Sequence, residues 1–286
     1  MKRTIAAIAM LAPMLVMAGL VRADDLEDSY TKLKADVEKK DADAVKADGA
    51  ATFKLAQALV NAPQPSDAAE VDNWKQRVEY GKEVVAYTEY ALAAVAAEAE
   101  GPKAIELVET LVAQNPKSKY IDSCTQAYLA ALGKSGGAAK QMEGMTKIVA
   151  GRPDNEVALA ALSEGLMSKS PDRALGYANR LIKNKGAGLA TGYFVAGVVN
   201  GAKNAWIDCD RNLKAALPMV HDNYKLGIVY FYLGLANYSL GKQTMDRPRM
   251  QAGLKYSQQS AAIAGPMKDQ AYHNVLAIQN ELQHGK

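Results

Sequence analysis

Residues 104–116 of this 286-residue chain read AIELVETLVAQNP, and the spacing of their small and apolar residues predicts the fold. Side chains at positions 0, +4 and +7 lie on one stripe of an α-helix. The pattern occurs in three windows: Ala104, Val108 and Leu111; Ala138, Met142 and Met145; and Ala174, Ala178 and Leu181. The windows are 34 and 36 residues apart. Because a helical hairpin of this length cannot bury its own apolar face, the repeat predicts hairpins that stack and cover one another.

The composition and the pattern of breaks indicate an all-α chain. Hydrophobic residues make up 49% of the sequence and only ten prolines interrupt it, which suits a folded protein rather than a disordered one. The β-branched residues form no run with the alternating period of a strand. Breaks occur at regular intervals: Asn115–Pro116, Gly133–Gly137, Gly151–Pro153, Ser170–Pro171, Lys185–Gly186, His221–Asp222, Gly241–Pro248 and Gly265–Pro266. These intervals predict an α-solenoid of about six antiparallel helical hairpins joined by short turns.

Residues 1–23 are predicted to form a signal peptide. Lys2 and Arg3 give it a positive start, residues 5–21 are its apolar stretch, and Ala23 ends it at the cleavage site. The alternative is a retained membrane anchor, since about 18 apolar residues are marginally enough to span a bilayer. The alanine and glycine content of the stretch favours cleavage. We therefore expect an exported protein, with a bacterial periplasm as its natural compartment and no membrane span after cleavage.

The mature chain divides at a proline-containing break, Pro63–Asp67. Residues 24–66 are predicted to form an N-terminal helical pair, with a charge-rich first helix within residues 24–48 and a second helix over residues 50–60. Residues 67–286 are predicted to form the helical repeat domain. The repeat windows all lie in this second part.

Charge is divided unevenly between the two halves of the mature chain. The net charge of +3 belongs to the signal segment, which holds Lys2, Arg3 and Arg22. Residues 169–286 hold 15 Lys and Arg against 7 Asp and Glu, a net of +8, while residues 24–168 have a net of −8. Such a division can steer a partner or self-association, although solvated helix faces are the simpler explanation. The neutral mature chain gives no indication of nucleic-acid binding.

The two cysteines, Cys124 and Cys209, are predicted to stay unpaired. They lie more than two repeats apart, and in a solenoid each repeat touches only its neighbours. A disulfide needs Cα atoms within about 7 Å of each other. We therefore predict two buried free thiols, even in an oxidising compartment.

The repeat resembles that of tetratricopeptide repeat (TPR) proteins. The TPR pattern has Trp-x2-Leu-Gly-x2-Tyr on its first helix and Ala-x3-Phe with a closing Pro on its second. The second half of the pattern is matched by Ala104, Val108, Leu111 and Pro116, and the first half by Tyr230, Leu233 and Gly234. The resemblance covers residues 80–284, and the first helices of the middle repeats match only approximately. In the last repeat, extra residues predict an inserted loop over 244–249.

The resemblance implies a TPR-like superhelix over residues 67–286 and a non-enzymatic role. TPR proteins are interaction scaffolds whose concave groove, lined by the first helices, holds a peptide or a partner helix. The implied function is therefore a scaffold or adaptor in the cell envelope. The alternative is an accessory protein that binds a small molecule or a glycan in a pocket inside the curve. An open groove would favour the first function, and a deep pocket with converging polar groups the second.

Aromatic residues and two arginines are the candidate partner-binding residues. Consecutive aromatics on a helix cannot all face one core, because neighbouring side chains point about 100° apart. We predict partner binding by Phe194, Phe231 and Tyr238, and by Arg247 and Arg249 on the inserted loop. Core packing and a solvated loop are the simpler alternatives. A further stripe of Tyr80, Tyr87 and Tyr90 more often indicates packing than recognition.

No catalytic or metal site is predicted. His221, His273 and His284 have no other histidine or cysteine at ligand spacing, and a zinc site needs three or four converging ligands. Gly133–Ser135 resembles the end of a phosphate-binding loop but lacks the preceding glycine. We therefore predict no enzyme and no cofactor. The expected partner is a protein or peptide, and the sequence leaves its identity and the oligomeric state open.

Overall fold

The computed structural model describes residues 23–284, so all of the predicted signal peptide except Ala23 lies outside the described residues. The helices of this range are α1 (Ala23–Glu38), α2 (Ala42–Val60), α3 (Val71–Glu98), α4 (Pro102–Gln114), α5 (Ile121–Gly151), α6 (Glu156–Leu166), α7 (Pro171–Asn184), α8 (Leu189–Ala202), α9 (Trp206–Ala216), α10 (Asn223–Thr244), α11 (Arg247–Ala262) and α12 (Lys268–His284). Short 3₁₀ turns precede α3 (Ala68–Glu70) and follow α9 (Leu217–Met219). None of these helices combines the length and apolarity needed to cross a membrane.

The helices pack in the order of the chain. Each helix contacts the next, and the other substantial contacts join helices two places apart, such as α1 with α3, α6 with α8 and α10 with α12. The all-α prediction is therefore confirmed, together with packing between helices that are neighbours in the chain. The curved superhelix and the family remain predictions.

The repeat windows bury the predicted stripe, with one shift of register. Seven of the nine positions are fully buried, and each buried valine or leucine contributes roughly 1.5–3 kcal/mol. Ala138 is exposed and Met142 is only half-buried, so the middle window was predicted in the wrong register. The reason is that Gly137, with φ of 63°, ends the first segment of α5, and Ala138 opens the second segment. The buried face of that segment is Gly144, Met145 and Ile148.

Most predicted breaks coincide with helix ends, and one of the missed breaks has a simple cause. The turn between α8 and α9 at residues 203–205 contains neither glycine nor proline, so no break was predicted there. Asn204 supplies the turn instead, with φ of 59°. Asparagine tolerates this left-handed conformation better than most residues do.

The first two helices also differ from their predicted bounds. The break falls at residues 39–41, where Lys40 has φ of 55°, and α2 begins at Ala42 rather than at residue 50. The side chain of Asp41 caps α2 by accepting hydrogen bonds from the backbone N–H groups of Asp43 and Ala44, both at 3.2 Å. This cap satisfies donors that the helix itself leaves free.

The predicted inserted loop over 244–249 is wrong. Helix α10 runs to Thr244 and α11 begins at Arg247, so only two residues connect them. Met245 turns the chain with φ of 54°, and the Asp246 carboxylate accepts a hydrogen bond from the Arg249 N–H at 3.0 Å. Asp at the cap and proline in the first turn both favour a helix start. Arg247 and Arg249 therefore lie in the first turn of α11.

The buried residues form two large clusters. One joins helices α1 to α6, from Leu33 to Leu162, and the other joins α7 to α10, from Ala174 to Ala236. The N-terminal pair shares the first cluster with α3, α4 and α5, because Leu33 and Val45 are members of it. The boundary proposed at residue 66 therefore stays a prediction.

Both cysteines are free and buried, as predicted. Cys124 lies on α5 and Cys209 on α9, and burial raises the pKa of each thiol to about 12. A thiol is reactive only as the thiolate. The two side chains therefore act as small apolar residues in their clusters.

We predict that the folded protein resists alkylation by iodoacetamide at pH 8, because almost none of either thiol is ionised at that pH. Mass spectrometry should show an unmodified chain when the protein is folded and two modified cysteines after denaturation in guanidinium. Rapid labelling of the folded chain at either position would contradict the burial of that thiol.

Helices α10 and α11 approach so closely that a glycine is required at their contact. A Cβ atom added at Gly253 would lie 2.7 Å from the backbone nitrogen of Tyr238 and 2.9 Å from the carbonyl oxygen of Gly234. Backbone atoms cannot move aside as a flexible side chain can. The contact therefore excludes every side chain at this position.

We predict that Gly253→Ala lowers the free energy of unfolding by about 1–3 kcal/mol, because the two helices must separate. Gly176→Ala on α7 is the matched control, since nothing lies within 4 Å of a Cβ added there. Alanine has a higher helix propensity than glycine, so Gly176→Ala should raise the free energy of unfolding by up to about 1 kcal/mol. Urea unfolding measures both variants, and equal effects would contradict the close contact.

Candidate functional site

A row of five tyrosines crosses the N-terminal part of the chain. We call it the tyrosine ribbon: Tyr30 on α1, Tyr80, Tyr87 and Tyr90 on α3, and Tyr120 just before α5. Its ring centroids are separated by 6.5 Å (Tyr80 to Tyr30), 5.1 Å (Tyr30 to Tyr87), 5.8 Å (Tyr87 to Tyr90) and 5.8 Å (Tyr90 to Tyr120). Residues 80, 87 and 90 share one face of α3, and the packing of α1 and α5 against α3 adds the other two rings.

The rings of the tyrosine ribbon do not form a flat surface. Three of the four pairs meet edge to face, at interplanar angles of 76°, 82° and 68°, and the Tyr87–Tyr90 pair is tilted by 53°. Edge-to-face contact is a preferred geometry for aromatic pairs. The ribbon is half-buried, and Tyr90 is its most open member at 45% exposure. Its surface is therefore a series of notches between rings.

The hydroxyl groups of the tyrosine ribbon are available as hydrogen-bond donors. Within residues 23–284, none of the five hydroxyls has a hydrogen-bond partner, and none is among the buried unpaired polar atoms. Desolvation, and then nearby glutamate charge, raises the pKa of Tyr30 and of Tyr80 above the ordinary value. Desolvation also raises the pKa of Tyr87. These three phenols stay protonated at neutral pH.

Charged side chains flank the tyrosine ribbon. Glu83 lies near Tyr30 and Tyr80, Glu27 near Tyr80, and Glu38 near Tyr87. None of the three glutamates takes part in an ion pair among the described residues. Two lysines stack on rings of the tyrosine ribbon, with the Lys34 Nζ 4.4 Å from the Tyr30 centroid and the Lys119 Nζ 5.0 Å from that of Tyr120.

Polar contacts between α1 and α2 hold Tyr30 in the tyrosine ribbon. The Ser29 and Thr52 hydroxyls are hydrogen-bonded at 2.7 Å, and the Lys32 Nζ lies 3.1 Å from the Asp48 carboxylate. Asp36 is buried beside Asp48, and its Oδ2 atom has no hydrogen-bond partner among the described residues. The hydrogen bond to Asp48 and then desolvation raise the pKa of Asp36. The protonated form of Asp36 therefore suits this contact better than the charged form.

A second surface lies in the C-terminal half around Phe194. It is a cleft of about 130 Å³ lined by Phe194 and Thr191 on α8, by Lys225 on α10, and by the segment 219–222. The Lys225 Nζ lies 5.4 Å from the Phe194 centroid and 2.5 Å from the Glu164 Oε1 on α6. Thr191 donates to the same glutamate oxygen at 3.4 Å. The charge of Lys225 is therefore already neutralised inside the protein.

The other predicted partner-binding residues all make contacts within the chain. Phe231 is buried and meets Tyr232 edge to face at 5.2 Å. The Tyr238 hydroxyl lies 3.4 Å from the Glu281 carboxylate of α12, and Arg247 donates to the carbonyl oxygen of Leu282.

Arg249 donates to the buried Asp210 carboxylate at 3.3 Å, and that carboxylate also accepts from Asn237 at 2.8 Å. Tyr238, Arg247 and Arg249 thus hold α12 and α9 against α10 and α11. Partner binding by the five predicted residues remains a prediction, and the structure does not bring them together in one site.

The tyrosine ribbon was only partly visible in the sequence. The stripe of Tyr80, Tyr87 and Tyr90 was recognised but interpreted as packing. Tyr30 and Tyr120 were missed, because they are 90 residues apart and join the stripe only through helix packing. The one local feature that could have indicated Tyr30 is its position on the narrow apolar stripe of a charge-rich helix.

The described residues offer no metal centre: among residues 23–284, no group of three or more His, Cys, Asp or Glu side chains is placed to hold a metal ion.

Comparison with known proteins assigns no family to the chain. No known family matches the chain, and no curated protein or solved structure is significantly similar to it. What the structure establishes is therefore an all-helical chain whose helices pack in sequence order.

We predict that Asp36→Asn raises the melting temperature at pH 7, because the raised pKa means that ionisation of Asp36 opposes folding. The cost of that ionisation is absent below the pKa of the unfolded chain and grows as pH rises through the folded pKa. The difference in melting temperature between Asp36→Asn and the wild type should therefore shrink as the pH is lowered towards about 3.5. Asp72→Asn is the control, since its side chain is exposed, and a pH-independent effect at position 36 would contradict the argument.

Proposed function

We propose that this protein is a non-enzymatic scaffold or adaptor of the cell envelope that binds an extended peptide or partner segment. The observation that carries the proposal is the tyrosine ribbon, with its five adjacent rings and accessible hydroxyls. Tyrosine is favoured at binding surfaces because it combines a large rigid apolar ring with a polar end. The envelope location follows from the predicted signal peptide.

The dimensions of the surfaces favour an extended ligand over a small molecule. Sites for drug-sized ligands usually enclose about 300–1,000 Å³. The Phe194 cleft measures about 130 Å³, and a second cleft beside Tyr128 and Glu109 measures about 220 Å³. The tyrosine ribbon instead spans α1, α3 and the start of α5. A chain lying across these elements would meet rings contributed by each of them.

A glycan is the second candidate ligand, because aromatic rows can also hold sugars. A sugar ring stacks its apolar face on a flat, open aromatic face. The edge-to-face angles of the tyrosine ribbon leave few such faces, and Lys34 already covers one face of Tyr30. These features favour the peptide over the glycan.

The TPR-like superhelix is part of the same proposal. Alternate helices approach one another along the chain, with α1 near α3, α3 near α5, α6 near α8, and α8 near α10. The ion pair from Lys225 on α10 to Glu164 on α6 passes over Phe194 on α8, so three alternate helices share one face. Both surfaces thus lie on helices that a TPR protein would use to line its groove.

We predict that the purified chain enriches specific sequences from a displayed library of random 12-residue peptides. The double variant Tyr87→Ala/Tyr90→Ala should lose at least tenfold in affinity for the enriched peptides, because two central rings are removed. Tyr224→Ala is the matched control, since Tyr224 is 58% exposed on α10 and outside the tyrosine ribbon.

Isothermal titration measures the affinities, and thermal melting checks that each variant is folded. A folded double variant that binds as well as wild type would exclude the tyrosine ribbon as the site. Failure to enrich any peptide, together with binding to an array of oligosaccharides, would favour the glycan.

A further inference from the structure

We infer that the outer face of α7 binds the acidic start of α1 in a second copy of this chain, so that copies associate head to tail. The inference does not depend on peptide binding by the tyrosine ribbon, and it gives the molecule a second interaction surface. It rests on two exposed surfaces of opposite charge, on the absence of counter-charges beside them, and on the division of charge between the two halves of the chain.

One of the two surfaces is a row of cations along α7. Arg173, Arg180 and Lys183 stand at positions 0, +7 and +10, which places them on one stripe of the helix. This stripe lies on the side of α7 opposite its fully buried alanines and leucine. Two further exposed lysines lie just beyond the ends of the helix. We call the five cations the basic stripe: Lys169, Arg173, Arg180, Lys183 and Lys185.

Ion pairs within the chain do not neutralise the basic stripe. Among residues 23–284, none of its five side chains takes part in an ion pair. Arg180 donates to the carbonyl oxygen of Pro153 and stacks on Tyr177, and both contacts leave its charge uncompensated. Like charges three residues apart on a helix, such as Arg180 and Lys183, oppose each other. An anionic partner would relieve this repulsion.

The carboxylates around α7 are engaged elsewhere. Helices α6 and α8 pack against α7, and α8 has no acidic residue. Asp172 forms an ion pair with α8 and Glu164 forms one with α10, while Glu156 accepts a hydrogen bond from the Gly188 N–H at 3.0 Å. Asp154 lies in the turn before α6, and no cation of the basic stripe pairs with it among the described residues. The basic stripe therefore keeps a net positive charge.

The other surface is the acidic start of α1. Asp25, Glu27 and Asp28 are exposed, and none of them forms an ion pair in the described part of the chain. Glu83 of α3 extends this surface, because it and Glu27 both lie near Tyr80. We call these four carboxylates the acidic patch. It borders the tyrosine ribbon at Tyr80.

The cations near the acidic patch do not cancel its charge. Residues 24–28 hold four carboxylates and no cation, and Glu83 adds a fifth carboxylate. Lys32 and Lys82 are already bound to carboxylates outside the patch. Three other cations belong to the adjoining turns of α1, α2 and α3: Lys34, Lys54 and Arg77. Five carboxylates against these three cations leave the patch negative.

A second copy is the partner whose charge fits both surfaces. Residues 169–286 have a net charge of +8 and residues 24–168 have a net charge of −8, so the mature chain is neutral and two copies do not repel each other as wholes. The basic half of one copy attracts the acidic half of another. One chain cannot bring its own two surfaces together, because substantial contacts reach no further than two helices along the described residues.

The contact joins two different surfaces and is therefore heterologous. Each added copy leaves one basic stripe and one acidic patch free, so association can continue beyond a dimer. Exposed ion pairs are individually weak and are screened by salt. We therefore expect self-association that appears only at high protein concentration and that salt removes.

Sedimentation velocity of the mature chain tests this expectation. Between about 10 and 500 µM protein in about 25 mM salt, the weight-average mass should rise at least about 1.5-fold above that of the monomer. In about 500 mM salt it should stay at the monomer value. A wild-type chain that remains monomeric at every concentration in low salt would overturn the inference.

Charge reversal tests whether these two surfaces make the contact. Arg173→Glu/Lys183→Glu reverses the basic stripe, and Asp25→Lys/Asp28→Lys reverses the acidic patch. Each double variant alone should stay monomeric in low salt, because its two surfaces then carry the same sign. An equimolar mixture of the two should associate again, since each reversed surface meets one of opposite charge. A mixture that stays monomeric would exclude this pairing.

A third double variant separates the basic stripe from net charge. Lys255→Glu/Lys268→Glu changes the net charge by the same amount on α11 and α12, where both lysines are exposed. This control should associate as the wild type does, and its loss of association would show that net charge alone acts. Thermal melting checks that every variant is folded. Asp25→Asn/Asp28→Asn avoids placing lysines in the first turns of α1 and should weaken association several-fold.

Flotation with vesicles containing 30% phosphatidylglycerol distinguishes a membrane surface from a second copy. If the wild-type chain stays monomeric but floats with these vesicles, and Arg173→Glu/Lys183→Glu does not, the basic stripe binds anionic lipid and the inference is overturned. None of these results bears on the enrichment of peptides, so the proposed function is tested separately.

Discussion

The rest of the structure depends on one constraint, that no helix pair of this chain can bury its own apolar face. The stripe of Ala104, Val108 and Leu111 on α4 is fully buried, and α2, α3 and α5 all pack against that helix. Each helix therefore needs neighbours on both sides, and substantial contacts extend no further than two helices along the described chain. Small residues make the closest of these contacts possible, as Gly253 does between α10 and α11. The buried residues accordingly form two large clusters along the chain, one over α1 to α6 and one over α7 to α10.

The same constraint creates the tyrosine ribbon. Tyr30 and Tyr120 belong to different hairpins, and each contributes a ring only when α1 and α5 are packed against α3. The contacts of Ser29 with Thr52 and of Lys32 with Asp48, which join α1 to α2, therefore also help to fix Tyr30. The tyrosine ribbon is therefore complete only while α1 and α5 are packed against α3. Loosening α1 would remove its ring from the ribbon while leaving the stripe on α3 in place.

The sequence predicted the features that depend on local chemistry. Proline and glycine marked most helix ends, and the 0, +4, +7 spacing identified buried stripes on α4 and α7. One error arose where Asn204, rather than a glycine, adopts the left-handed conformation of a turn. Another arose where the Asp246 cap starts α11 within the segment that was predicted to be a loop. The tyrosine ribbon could not be derived in full, because the meeting of Tyr30 with Tyr87 is a consequence of packing between α1 and α3. Local spacing carries no information about that distance.

The two aromatic surfaces differ in what they leave free for a ligand, and this difference decides between them. At the Phe194 cleft the ring is 2% exposed, and its cation, Lys225, is bound to Glu164. A ligand there would have to break an ion pair before gaining a contact. At the tyrosine ribbon the hydroxyls and three glutamates have no such partners among the described residues, so a ligand can contact these groups without breaking an ion pair. The free energy of binding is the surplus over such costs. The open ribbon in the acidic half is therefore the better recognition surface, although the sequence had pointed to the aromatics of the basic half.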